Sequence, residues 1–299
     1  MTDFNYSEIF YSVQGEGEYT GVPTAWLRFF LCNLQCNGFG QEDPTDESTY
    51  KLPYKDVDVS KYNAMEELPV FEYGCDSSYS WAKKFKGLQR KGSPREVAER
   101  IIDSMKNEFN PEGLFHHPVS GLKQHMCFTG GEPLMSHGQK GACDVMAEFR
   151  LLGNQPGSVT FETNGTQTLS SEFKEWFGNK GLHSGELFFS ISPKLFSVSG
   201  EKADKALLFD NVREYSQLTK RGQLKFVLTP HKGAWDELES AIAGFRDAGV
   251  NYPVWIMPVG ATVEGQKLVD GDVARMAFER GYNVAARVHT YLWGNLIGV

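Results

Sequence analysis

The 299-residue chain is 40% hydrophobic and carries a formal charge of -8, with a pI near 5.5. That acidity argues against a protein built to coat nucleic acid, which needs a basic stripe for the phosphates. The first ten residues include Asp3 and Glu8 and have neither a basic start nor an apolar run. No segment reaches the ~18 apolar residues of a membrane helix, so a soluble, cytoplasmic protein is expected.

In chain order, the apolar run 25–31 reads as a strand that ends at Cys32-Asn33-Leu34-Gln35-Cys36. Residues 42–72 then hold nine acidic side chains against three lysines, a net charge of -6, with three prolines and weak periodicity. This stretch reads as a solvated surface excursion. Ser93-Pro94-Arg95-Glu96 combines a capping box with proline at the first helical position, and Val97, Ile101, Met105 and Phe109 recur every four residues after it. Strands are predicted at 124–129, 159–163, 187–191, 224–228, 254–257 and 284–288. Helices are predicted at 142–152, 235–248 and 267–280, each followed by a glycine (Gly153, Gly249, Gly281). Strand–helix alternation of this kind implies an α/β fold with a largely parallel sheet, open or rolled into a barrel.

Five cysteines is an odd number, which speaks for metal or redox use over a disulfide framework. A structural zinc site normally takes four ligands, and no obvious fourth lies near Cys75. Three thiolates on an iron–sulfur cluster leave one iron open to a small molecule. Other polar motifs follow predicted strands: Thr129-Gly130-Gly131-Glu132-Pro133, Glu162-Thr163-Asn164-Gly165-Thr166, Ser192-Pro193-Lys194, Met257-Pro258-Val259-Gly260 and Arg287-Val288-His289. Paired glycines allow close backbone approach to a ligand, and the Glu132 carboxylate suits a ligand ammonium. Each motif alone is an ordinary turn. Together they sit where the strands of a parallel sheet exit, the face on which such folds place their sites.

The pair Cys32-x-x-x-Cys36 and Thr129-Gly-Gly-Glu-Pro resembles the radical S-adenosylmethionine superfamily. Gln14-Gly15-Glu16-Gly17, Arg28, Cys75-Asp76-Ser77, Glu162-Thr-Asn-Gly, Ser192-Pro-Lys and His289-Thr-Tyr-Leu-Trp-Gly294 resemble the 7-carboxy-7-deazaguanine synthase family within it. The match runs in family order from Glu8 to Gly294 and leaves out mainly the acidic stretch. The resemblance implies one domain over 1–299, a partial, six-stranded (β6/α3-like) relative of the TIM barrel with a surface insertion at 38–73. It also implies a homodimeric lyase that contracts the ring of 6-carboxy-5,6,7,8-tetrahydropterin to 7-carboxy-7-deazaguanine with loss of ammonia, on the route to queuosine and other 7-deazaguanine bases.

Carried over by position, the resemblance gives Cys32, Cys36 and Cys75 to a 4Fe-4S cluster. Gly74, Asp76, Gly131, Glu132, Ser192, Pro193, Lys194, Met257, Pro258, Val259 and Gly260 go to S-adenosylmethionine. Gln14, Gly15, Glu16, Arg28, Thr129 and His289 go to the pterin, and Ser77 to Mg2+. An electron donor, flavodoxin-like or other, is implied as partner, with no direct nucleic acid and no membrane. The third cysteine of the family pattern falls on Phe39 here, so the insertion separates the second and third ligands; loop closure costs grow only slowly with length. Ser77 replaces the family threonine and keeps a hydroxyl. Cys127 and Cys143 match no ligand position and read as core residues. Two other readings stay open: another radical enzyme, such as a glycyl-radical activase, and a non-catalytic binding protein stabilised by zinc.

Overall fold

The structure, a computed structural model, describes residues 2–178, 181–183, 185–294 and 296–298. Its centre is a sheet of nine strands among the described residues: β1 (Phe4–Val13), β2 (Pro23–Phe29), β3 (Arg90–Gly92), β4 (His125–Gly130), β5 (Ser158–Thr163), β6 (Glu186–Ile191), β7 (Gly222–Leu228), β8 (Val254–Pro258) and β9 (Asn283–Val284). The hydrogen-bonded order is β3-β1-β2-β4-β5-β6-β7-β8-β9. β1 is antiparallel to both β2 and β3. From β2 to β9 every pairing is parallel, so seven strands exit on one side. β4 and β6 are buried along nearly their whole length, as strands covered on both faces must be.

Helices α1 (Pro94–Ser104), α2 (Ser136–Leu151), α3 (Ser171–Phe177), α4 (Phe196–Ser199), α5 (Ala203–Ala206), α6 (Phe209–Leu218), α7 (Lys232–Asp247), α8 (Val263–Lys267), α9 (Asp270–Glu279) and α10 (Val288–Trp293) flank the sheet. α1 starts as its sequence dictates: Ser93 Oγ accepts from the Glu96 N–H and Glu96 accepts from the Ser93 N–H (2.8 Å). Val97, Ala98 and Ile101 are buried on its inner face. Phe109 falls off that stripe and is 61% exposed, because the helix stops at Ser104. Asn107 Oδ1 then accepts from the N–H groups of Phe109 and Asn110, a side-chain turn that competes with helix. α2 begins six residues ahead of the expected start, and the helix expected over 267–280 is split into α8 and α9.

The last strand is also shorter than expected. β9 ends at Val284, and Arg287 caps α10, so His289 sits in the first turn of a helix instead of at a strand exit. The Arg287 guanidinium donates to the carbonyls of Gly260 and Ala261 (both 3.1 Å), which pulls the chain away from the sheet.

The acidic stretch is more than a solvated loop. Its carboxylates lie mostly at the surface, and Asp46 and Asp58 cap single turns by accepting from the N–H groups of Ser48 and Ser60. Its apolar residues Tyr54, Met65, Leu68 and Phe71 nevertheless fold onto Tyr79, Ala82 and Phe85 to make a second small core. The excursion is closed at its base. The Gly74 N–H donates to the Phe39 carbonyl (2.7 Å) and the Gly38 N–H to the Ser199 carbonyl (2.9 Å). Phe71 packs against both Tyr54 and Phe85. Phe71→Ala is therefore expected to loosen this small core by about 3–5 kcal/mol. Amide exchange should accelerate over 52–85 while β4 to β6 stay protected; unchanged protection over 52–85 would show that the excursion does not depend on this core.

Candidate active site

The exits of the parallel strands surround a cavity of about 310 Å³. One wall carries sulfur. Leu31 (φ 86°) and Cys36 (φ 52°) bracket the segment after β2 in left-handed backbone conformations that non-glycine residues rarely adopt. Such strain persists only where surroundings enforce it. Here Glu201 Oε1 accepts from the N–H groups of Gln35 and Cys36 (both 2.7 Å), and the Leu31 N–H donates to the Ser80 carbonyl (2.8 Å). Cys36 lies buried with Leu34 and Ala206, and Cys32, Phe39 and Cys75 pack against that cluster. Cys75 thus arrives beside Phe39, because the excursion closes there.

Burial pushes the Cys32 thiol up to about 12, with the nearby Glu132 carboxylate adding to the effect, and raises Cys36 and Cys75 as well. Thiols in such surroundings ionise only if a cation arrives with them. Among the described residues, no three His, Cys, Asp or Glu side chains are gathered tightly enough to chelate one metal ion. A multi-iron cluster takes its thiolates on separate irons, so this donor set suits it better than a single zinc. Cys127 and Cys143 are buried away from this wall, as expected.

The floor is made by two strand exits. Gly131 passes so close to the cysteine segment that a Cβ there would lie 2.8 Å from the Cys32 Cβ, which only glycine avoids. Glu132 is turned inward. Its carboxylate, fully buried, accepts from Leu134 N–H (2.9 Å), Thr163 Oγ1–H (2.7 Å) and Asn164 N–H (2.7 Å), latching the exit of β4 to that of β5. Burial raises its pKa to about 7 even so. Of the residues assigned to cofactor and substrate, Glu132 and Pro193 are the two that do not line the cavity. Glu132 Oε1 accepts two of these bonds and Oε2 one. Asn164 Nδ2 instead reaches toward Cys32 Sγ (3.9 Å). Lys194 donates to Ser192 Oγ (2.7 Å) and stands over the Phe39 ring. Ser77 Oγ lies 3.5 Å from Cys75 Sγ.

The wall opposite the floor is charged. Glu16 pairs with Lys225 and with Arg287 Nε (3.1 Å). Burial alone would raise the Glu16 pKa, but Lys225 and Arg287 outweigh it and hold the carboxylate far below its ordinary range. Glu162 accepts from Gln14 Nε2 (3.2 Å) and Thr129 Oγ1 (3.3 Å), with Lys225 3.9 Å away. Arg28 faces Glu8 at 3.5 Å and the Tyr79 ring, and its buried Nε has no hydrogen-bond partner among the described residues. A guanidinium placed so can take a ligand carboxylate. Gly15 abuts the His289 ring so closely that a Cβ would overlap it.

Lys225, Glu8 and Tyr79 belong to this wall although the sequence reading assigns them no site role, and Glu162 and Arg287, read there only as parts of strand-exit motifs, join them. Lys225 had a readable signal: with Gln223 it places two polar side chains on one face of an otherwise apolar strand, and it is only 4% exposed. A buried lysine must be paired. Glu8 and Tyr79 offer no local pattern of this kind.

His289 makes the site sensitive to acid. Burial lowers its pKa from 6.5 to about 4, with Arg287 acting in the same sense and Glu16 opposing. A lowered histidine pKa means that the unfolded chain binds the proton first. The stability from neutral His289 is therefore complete above the unfolded value of 6.5 and is lost as pH falls toward 4. Between pH 7 and pH 5 the loss amounts to about 2 kcal/mol. Urea titrations of His289→Gln at the two pH values should show a fall smaller by that amount, and an unchanged fall would show that His289 is not held neutral.

No protein-family model matches the chain. Full-length comparisons do find relatives. A 7-carboxy-7-deazaguanine synthase of Rhodopirellula baltica is 25% identical over 294 residues, covering 98% of this chain and 87% of that protein. One from Halobacterium salinarum is 26% identical over 299 residues, covering 97% and 90%. One from Thermoplasma acidophilum is 24% identical over 298 residues, covering 98% and 99%. The crystal structure of QueE from Escherichia coli shares the fold, with a TM-score of 0.51 and 16% identity over 96% of this chain and 95% of that one. Over its full length the chain is thus similar to 7-carboxy-7-deazaguanine synthases, and it shares the fold of the solved structure.

Proposed function

We propose that the chain is a radical S-adenosylmethionine lyase that converts 6-carboxy-5,6,7,8-tetrahydropterin to 7-carboxy-7-deazaguanine with release of ammonia, in 7-deazaguanine and queuosine biosynthesis. The observation that carries this reading is the meeting of three thiols, Cys36 buried and Cys32 and Cys75 half-buried, with the Arg28 and Glu16 wall in one cavity. The names of the full-length relatives support it.

Cys32, Cys36 and Cys75 would hold a 4Fe-4S cluster, and Gly74, Asp76, Gly131, Glu132, Ser192, Pro193, Lys194 and the 257–260 turn would hold S-adenosylmethionine. Bound together, these groups supply the one-electron chemistry that starts the ring contraction. The protein's part is to bind, orient and exclude water. Arg28 receives the pterin carboxylate in its fork. Glu16, kept ionised by Lys225 and Arg287, accepts hydrogen bonds from ring N–H groups, while Gln14 and Thr129 orient Glu162 beside it. His289, kept neutral by burial, can donate from one ring nitrogen and accept at the other. Ser77 would offer its hydroxyl to Mg2+ close to that carboxylate. The same reading includes a single domain over 1–299 whose sheet, with nine described strands in place of the six expected, is a partial relative of the TIM barrel, a homodimer, a flavodoxin-like electron donor and a cytoplasmic place of work.

The test is anaerobic reconstitution with iron and sulfide, then incubation with S-adenosylmethionine, reductant and the carboxypterin. Mass detection should find both 5′-deoxyadenosine and 7-carboxy-7-deazaguanine. 5′-Deoxyadenosine without a pterin product would point to a different radical enzyme, and zinc in place of iron and sulfide would refute the reading altogether. Arg28→Lys keeps the charge but loses the fork. It should cost about 2–3 kcal/mol of transition-state binding, roughly 30- to 150-fold in kcat/KM.

A further inference from the structure

Arg287 uses every nitrogen of its guanidinium on a different part of the site. Nε meets Glu16 Oε1 (3.1 Å), one terminal nitrogen donates to the carbonyls of Gly260 and Ala261 (3.1 Å each), and the other meets Asp76 Oδ2 (2.8 Å). The side chain is 14% exposed, and its own backbone starts α10, which carries His289. One planar fork therefore joins the turn after β1, the exit of β8, the loop after the third cysteine and the last helix. A lysine, with a point charge on a flexible stem, cannot make this set of contacts.

The need for such a joint follows from the displaced cysteine. Cys75 comes after the long excursion, so no short covalent spacing from Cys36 fixes it. On its N-terminal side the Gly74 to Phe39 hydrogen bond holds the chain. On its C-terminal side Asp76 is the first side chain with a charged partner, and that partner is Arg287. We propose that Arg287 is a positioning residue that fixes the Cys75 loop and the pterin-facing Glu16 carboxylate relative to one another, so that the sulfur wall and the substrate wall move as one body. This rests on the assignment of the two walls given under Proposed function.

The joint is tested with Arg287→Gln and Arg287→Lys in the full chain. Before any cluster is loaded, hydrogen exchange over 74–80 should run about tenfold faster in Arg287→Gln than in the wild type, with β4 to β6 unchanged. Asp76→Asn should reproduce the faster exchange by cutting the same joint from its other side. In reconstituted protein, adding the carboxypterin should shift the electron paramagnetic resonance spectrum of the reduced cluster in the wild type. The shift should be absent in Arg287→Gln, with pterin KM raised about tenfold and Arg287→Lys intermediate. Wild-type exchange over 74–80 in Arg287→Gln, or a pterin-induced spectral shift that survives there, would overturn the proposal. If no cluster assembles even in the wild type, the functional reading fails, whereas the exchange measurement still decides the joint.

Discussion

The hydrogen bond that closes the acidic excursion, from the Gly74 N–H to the Phe39 carbonyl, sets where the third thiol can be. A loop of this length can be inserted at small entropic cost provided its two ends meet. Here they meet at the position where a short-spaced third cysteine would stand, so the excursion leaves the sulfur wall in place. The small core around Phe71 and Phe85 gives the loop order of its own, and Tyr79 from that core also faces Arg28. Tyr79, on which the excursion packs, thus joins the small core to the charged wall of the cavity.

Buried charge is the second constraint. Glu16, Lys225, Arg287 and Arg28 lie where an unpaired charge would be prohibitive; the first three pair across distant parts of the chain, and Arg28 pairs with Glu8 opposite it on β1. These pairings tie the N-terminal turn to β7 and to α10. They also decide the protonation state that a ligand meets: an ionised Glu16, cationic Lys225 and Arg287, and a neutral His289. Glu132 follows the same rule by spending its oxygens on the β5 exit, which makes it a structural latch under the cavity.

Much of this was legible in the sequence where chemistry and backbone periodicity coincide. The parallel strands, the capping box at Ser93 and the polar turns after β4, β5, β6 and β8 could be read because each has a local signature. β1 could not, since Ser7, Glu8 and Ser12 break its apolar alternation, and its burial comes from pairing with β2 and β3. The small core of the excursion was hidden by the charges around it. Arg287 and Glu8 owe their roles to partners hundreds of residues away or across a sheet, contacts that no local pattern encodes. The course of the chain after β9 was misjudged for the same reason, because the Arg287 bonds to Gly260 and Ala261 turn it into a helix.

The central claim is that Cys75, delivered across the excursion, completes the sulfur site begun by Cys32 and Cys36. Counting iron and acid-labile sulfide after anaerobic reconstitution tests it most directly, with Cys127→Ala, in the buried core, as the control. The account predicts about four irons per chain in the wild type and in Cys127→Ala, and loss of most of the iron and of the cluster's visible absorbance in Cys75→Ala. A Cys75→Ala protein that retains the full cluster would contradict it.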